Sequence, residues 1–149
     1  MNHICENTDV SRLVWGKEIN YRVIYGDTDR AGVVYYANYL RFFEMGRTEW
    51  MRQVLGTPYR ELESSGVLFP VVEAHIRYKA PAGYDDLLSI CTALSDWSRV
   101  TLTFCYEIRR DDKILVTGTT KHAAADINGR LTKIPGTISG AIEKMVSRK

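Results

Sequence analysis

Between Ala37 and Leu55 the chain carries Tyr39, Leu40, Phe42, Phe43, Met45, Trp50, Met51, Val54 and Leu55 in a run free of proline, a spacing that predicts a helix of roughly five turns. Around such a helix these side chains occupy much more than the single stripe of a surface helix. A rod apolar over so much of its circumference must be covered on more than one side, by a sheet that curls around it with help from a partner subunit. Gly56 stands where a left-handed residue ends a helix, and Asn38 or a neighbour caps the start.

The rest of the chain supplies that sheet. Ile19, Tyr21, Val23 and Tyr25 alternate with Glu18, Asn20 and Arg22, the period of a strand with one buried face, and Gly26 ends it. Alternating runs follow through Val72, Ala74, Ile76 and Tyr78, through Leu88, Ile90, Thr92 and Leu94, and through Val100, Leu102, Phe104, Tyr106 and Ile108; a last one extends from Ile114 to about Ile127. The connectors Pro81-Ala82-Gly83, Trp97-Ser98 and Asp111-Asp112 are short, which favours antiparallel neighbours. Thr57-Pro58 opens a short connecting helix that Ser64-Ser65-Gly66 closes, Asn128-Gly129 signals a turn, and Gly136-Thr137 opens a final helix through Met145. Residues 1–16 show no regular pattern and are expected to form a loose leader, leaving 17–149 as one domain. Strand, long helix, then strands with tight turns is not the alternation of a doubly wound parallel sheet. The expected class is α+β: an antiparallel five- to six-stranded sheet wrapped around one long central helix, the hot-dog fold.

Composition narrows the function by exclusion. Twenty basic against eighteen acidic residues leave a formal charge of +2, too little for an electrostatic footprint on nucleic acid. No window reaches the roughly 18 consecutive apolar residues of a membrane span, and the amino end lacks a signal-peptide pattern, so a cytoplasmic protein is expected. Cys5, Cys91 and Cys105 are widely spaced without a Cys-x-x-Cys pair, and His3, His75 and His122 form no pair at helical spacing. Neither a disulfide framework nor a metal site is expected, and the chemistry must come from side chains and backbone.

The densest chemical signal is Tyr25-Gly26-Asp27-Thr28-Asp29-Arg30-Ala31-Gly32-Val33-Val34-Tyr35-Tyr36-Ala37-Asn38-Tyr39, a loop with two carboxylates that runs into the long helix. A helix start offers unpaired N–H groups and partial positive charge, suited to polarising a carbonyl oxygen. Asp29, seven residues before Tyr36, is placed to act as base or nucleophile at the carbonyl carbon. Asp27 reads as a turn-fixing residue, because short aspartates cap backbone N–H groups routinely. On its own, Asp29 would read the same way. Glu44 and Arg47, three apart on the helix, read as a structural pair, and Glu49 and Arg41 as solvated face. His122 and His75 alternate with apolar strand neighbours and read as satisfied polar groups.

These residues carry a resemblance. Gly26-Asp27-Thr28-Asp29, Ala31-Gly32-Val33-Val34-Tyr35-Tyr36, Asn38-Tyr39 and Phe43-Glu44-x-x-Arg47 resemble the signature of the 4-hydroxybenzoyl-CoA thioesterase-like hot-dog family, with its YbgC and FadM branches. The match extends more loosely through Pro70-Val71-Val72, Tyr78-x-Ala80-Pro81 and Tyr84-Asp85-Asp86-Leu87-Leu88. The resemblance implies hydrolysis of acyl-CoA thioesters without metal or redox cofactor, in a homodimer or homotetramer with active sites between subunits. It implies that Asp29 is the catalytic carboxylate, as nucleophile or general base, and that the Tyr36 backbone N–H binds the thioester oxygen. Tyr36 stands where the YbgC branch carries histidine and the 4-hydroxybenzoyl branch tyrosine; a backbone donor survives any side chain except proline. Tyr35 is expected at the acyl pocket. Arg99 matches an arginine that meets the nucleotide in the 4-hydroxybenzoyl branch, and Lys133 is a second candidate cation for the CoA phosphates.

Two other classes share this outline: a non-catalytic module binding acyl-CoA or acyl-carrier protein, and a hot-dog hydratase or dehydratase. A pure binder has no need of Asp29, and the hydratase needs a histidine beside the helix. Whether the thioester arrives on CoA or on acyl-carrier protein is left open by the residues.

Overall fold

In the computed structural model, which describes residues 9–56 and 59–148, the apolar run forms helix α1, Asn38–Leu55. Ala37 stands at its N-cap and has no polar side chain with which to cap, and the neighbouring Asn38 spends its amide on the preceding loop. Gly56 closes the helix at φ 68°, a conformation that costs a glycine nothing. The strands are β1 Val14–Trp15, β2 Ile19–Arg22, β3 Val71–Tyr78, β4 Leu87–Trp97, β5 Thr101–Arg110 and β6 Lys113–Ala123. Two further α-helices are α2 Tyr59–Ser64 and α3 Gly136–Ser147, and Val10–Arg12 and Tyr25–Asp27 form short 3-10 helices. The Thr57-Pro58 pair expected to open α2 lies outside the described residues.

The sheet is antiparallel throughout, in the order β1-β4-β5-β6-β3, with β2 also paired along β4. It wraps one face around α1, the hot-dog arrangement. Leu88, Ile90 and Leu94 of β4, Leu102, Phe104, Tyr106 and Ile108 of β5, and Phe42, Phe43, Trp50 and Met51 of the helix belong to one core. Two glycines let the layers approach. A Cβ on Gly118 of β6 would come within 2.5 Å of the Phe43 ring, and one on Gly46 of α1 would collide with the Thr92 hydroxyl. Helix α3 covers a second side of α1, placing Ile138 and Ile142 in the same core, while Leu40 stays exposed.

The amino-terminal expectation needs correction. Leu13 and Val14 are buried, and Val14 and Trp15 pair with Leu94 and Ala93, so the supposed leader contributes a strand. Trp50 Nε1 fastens it by donating to the Val14 carbonyl at 2.8 Å. A two-residue strand is too short to show alternation in sequence. Similarly, the first long strand stops at Arg22 because Tyr25–Asp27 turns as a 3-10 helix, and the last stops at Ala123.

Strand β3 is the sheet's far edge. Among the described residues it pairs with β6 alone, and its residues from Val71 to His75 are exposed, Val72 to 54%. No helix among the described residues is long and apolar enough to cross a membrane.

Candidate active site

Asp27 organises the loop that enters α1. It is buried to 1% exposure, and its Oδ2 accepts from the Tyr21 hydroxyl at 2.8 Å and from the Ile24 N–H at 2.9 Å. Its main-chain carbonyl accepts from the Tyr35 N–H at 2.9 Å and from Asn38 Nδ2 at 2.8 Å. One residue thus ties β2, the turn and the first turn of the helix together, the fixing role expected of it. Arg41 reaches Asp27 Oδ1 at 3.7 Å, so it balances a buried carboxylate and is not merely solvated. Burial, followed by the bond to Asp27, raises the pKa of the Tyr21 phenol and keeps it a donor.

Asp29 stands at the head of a tight turn. Its N–H donates to Val33 O, its carbonyl accepts from the Gly32 N–H, and its Oδ1 accepts from the Ala31 N–H at 2.8 Å. Gly32 supplies the left-handed residue at φ 82°. The turn is pinned to the 81–83 connector by a 2.8 Å bond from the Val34 N–H to Ala82 O and by a bridge between Val33 and Gly83. Below it Asp86 accepts from the Gly83 N–H and pairs with Arg110 at 2.7 Å, contacts that hold its pKa below the usual carboxylate range. The second oxygen of Asp29 takes part in no hydrogen bond among the described residues.

A cavity of about 360 Å³ opens beside this turn, lined by Asp29, Val33, Val34, Tyr36, Tyr39, Tyr78, Lys79, Ala80 and Pro81. Tyr36 forms its rim, exposed to 61%. No hydrogen bond among the described residues uses the Tyr36 N–H, while its carbonyl accepts from the Tyr78 hydroxyl at 2.9 Å. The cavity's lining residues therefore include a carboxylate with a free oxygen, a residue near the start of α1 whose N–H is unused among the described residues, and several apolar side chains. Burial raises the pKa values of Tyr39 and Tyr78, so these phenols remain neutral donors.

The sequence's other candidates lie elsewhere. Tyr35 packs its ring on Tyr36 with centroids 4.8 Å apart but does not line the cavity. Arg99 and Lys133 are exposed and sit together, because the Ile134 N–H donates to Arg99 O at 2.8 Å. They occupy the end of the sheet where β3 begins, whereas the cavity lies where β3 ends at Tyr78, about 23 Å away along an eight-residue strand. One chain does not unite them with Asp29. Tyr78 and Lys79 were missed as cavity residues; the Tyr78-x-Ala80-Pro81 match was the signal for them. Glu44 and Arg47 do not pair. Arg47 instead donates to the hydroxyl of buried Tyr106 at 3.1 Å.

Residues 23–142 match the family model described as the thioesterase-like superfamily. The chain belongs to that superfamily. Acyl-CoA thioesterase YbgC of Haemophilus influenzae is 40% identical over 106 residues, which cover 71% of this chain and 78% of the relative. Among solved structures, the hypothetical protein TT1821 from Thermus thermophilus superposes with a TM-score of 0.81 at 31% identity, covering 87% of this chain and 96% of that one. The BH1999 gentisyl-coenzyme A thioesterase superposes with a TM-score of 0.77 at 28% identity, covering 83% and 99%. This thioesterase-like chain is accordingly a thioester hydrolase, and the cavity at Asp29 is the candidate place for the reaction.

Proposed function

We propose that this protein hydrolyses acyl-CoA thioesters at the Asp29 cavity, with CoA as the carrier, as in the YbgC relatives. The observation that carries the reading is the meeting, in one cavity, of the Asp29 carboxylate and the unused N–H of Tyr36 at the start of α1. Attack on the thioester carbon moves an electron pair onto the carbonyl oxygen, where the Tyr36 N–H and the positive helix end receive it. Collapse re-forms the carbonyl and expels CoA as a thiolate, a leaving group that needs little acid assistance. Asp29 acts in one of two ways. It removes a proton from the attacking water, or it attacks directly to form an anhydride that water then opens.

The protein acts as a homodimer joined along β3. A strand edge that meets no other strand among the described residues and carries exposed Val71 and Val72 invites pairing with a second copy. Antiparallel pairing sets the Tyr78 end of one chain against the Val71 end of the other, so Arg99 and Lys133 of the second copy approach the cavity of the first. That supports their assignment to the CoA phosphates, with Lys79 at the rim. Tyr35 reaches the acyl group only by way of Tyr36, on which its ring packs outside the cavity lining.

The test is CoA release from a panel of acyl-CoAs, followed with a thiol reagent. Asp29→Asn lowers kcat at least about a hundredfold. Tyr36→Phe keeps most activity, whereas Tyr36→Pro abolishes it, because only the latter removes the N–H. Full activity in Asp29→Asn rejects the assignment. Turnover in ¹⁸O-water tests for direct attack: label in the Asp29 peptide shows an anhydride opened by water at the aspartyl carbon, whereas base catalysis, or opening at the acyl carbon, leaves it only in the free acid.

A further inference from the structure

A second cavity, of about 260 Å³, lies farther along α1, lined by Glu44, Arg47, Thr48, Met51, Glu63 and Phe69. Two of its lining residues, Arg47 and Phe69, are joined behind the cavity by a chain of hydrogen bonds. The carbonyl of Phe69 can only accept, so His122 Nδ1, 2.9 Å away, carries the proton, and Nε2 accepts from the Thr120 hydroxyl at 2.8 Å. Thr120 Oγ1 in turn accepts from the Tyr106 hydroxyl at 2.6 Å, and Tyr106 accepts from Arg47. Four bonds pointing one way, three of them through buried side chains, hold the guanidinium by one N–H. Its other donors are spent on no carboxylate among the described residues, although Glu44 and Glu63 border the same hollow.

Resting on the dimer and hydrolase readings above, we infer that this hollow seats the far end of the acyl group being hydrolysed at the partner's Asp29 cavity. Arg47 and Glu63 select there for an acyl group ending in a hydroxyl. Two relationships support the placement. Phe69 lies two residues before β3, and antiparallel pairing along β3 sets this end of one chain beside the Asp29 end of the other. The two cavities together also fall within the usual size of a small-molecule site. The choice of ligand follows from charge. A hydroxyl both accepts from a guanidinium and donates to a carboxylate, whereas a terminal carboxylate meets two like charges and a methyl leaves the guanidinium unmatched.

The experiment uses CoA thioesters of six to ten carbons in three matched forms: plain, ω-hydroxy and ω-carboxy. Wild-type kcat/KM for the best ω-hydroxyacyl-CoA exceeds that of its plain counterpart by ten- to a hundredfold, the scale of a hydrogen bond to a charged group. Arg47→Met brings this ratio close to one, and Glu63→Ala, a change on an exposed residue, lowers it several-fold. Asp29→Asn and Arg47→Met chains are then co-expressed with different tags, and the mixed dimer is isolated. It regains about half the wild-type rate on the ω-hydroxy substrate, because one of its two sites combines an intact Asp29 with the other chain's intact Arg47.

A mixed dimer no better than the Arg47→Met homodimer, an unchanged ratio in both single variants, or a preference for the ω-carboxy series overturns the inference. If plain acyl-CoAs are hydrolysed in an Asp29-dependent way meanwhile, the hydrolase reading still stands. Failure to release CoA from any of the series overturns both.

Discussion

The Tyr78 hydroxyl donates a 2.9 Å hydrogen bond to the Tyr36 carbonyl oxygen, fastening the last residue of the edge strand to the backbone that opens α1. The ring of Tyr78 also meets those of Tyr36 and Tyr39 edge-on, so the contact is part of a small aromatic corner. Tyr78→Phe keeps the corner and removes the bond. The expected result is a fall in kcat of up to about tenfold with KM little changed, since one neutral hydrogen bond is worth roughly 1 kcal/mol. Steady-state kinetics on a single acyl-CoA checks it.

Two aspartates two residues apart should give opposite signatures. Asp27 satisfies the Tyr21 hydroxyl and the Ile24 N–H in a buried site, so Asp27→Ala strands both groups and is expected to cost about 2 kcal/mol or more. In a chain of this size that lowers Tm by roughly 4–8 °C. Asp29→Ala gives up a single bond to the Ala31 N–H at a partly exposed turn, so Tm stays within about 2 °C while turnover falls at least a hundredfold. Thermal melts beside CoA-release assays separate the two.

This contrast marks how far the residues could be read without coordinates. The hot-dog outline was legible because the apolar run of α1 and the period-two strands are strong local signals, and the position of Asp29 in the loop entering α1 was legible from the motif that loop carries. The Arg41–Asp27 contact was not, since it answers a buried charge that only the folded turn creates. Arg47 looked like half of a helical ion pair with Glu44. Its true partner, Tyr106, is 59 positions away on β5, and no helical spacing reveals that. Strand β1 escaped because two residues carry no period, and its burial is decided by β4 and Trp50.

Helix α1 approaches the sheet as closely as Gly118 permits. An added methyl there would stand 2.5 Å from the Phe43 ring and 2.7 Å from the His75 carbonyl, one of them main chain and unable to yield. Gly118→Ala is therefore expected to destabilise by about 1–3 kcal/mol through overpacking. Gly140 in α3 is the control, because a methyl there meets nothing within 4 Å and alanine favours the helix. Gly140→Ala should stabilise by roughly 0.5–1 kcal/mol. Urea unfolding of the two variants gives the signs directly.

His122 makes stability depend on pH in a definite direction. Its ring is buried between Thr120 and the Phe69 carbonyl, and burial first of all pulls its pKa down from 6.5 to about 4. Protonation would place a hydrogen on Nε2, where the Thr120 hydroxyl already donates, and break the chain of bonds leading to Arg47. The unfolded chain takes up this proton near pH 6.5 and the folded one only near pH 4. Between those values the unfolded state binds more protons, and stability rises with pH. The contribution is complete above about pH 6.5, is lost as pH falls toward 4, and amounts to about 3 kcal/mol over that window. In His122→Gln the amide can accept from Thr120 and donate to Phe69 without titrating, so the pH slope of unfolding free energy should drop by about one proton. Urea titrations at half-unit steps from pH 4.5 to 7.5 measure it; the same slope in both proteins would show that His122 is not the group responsible.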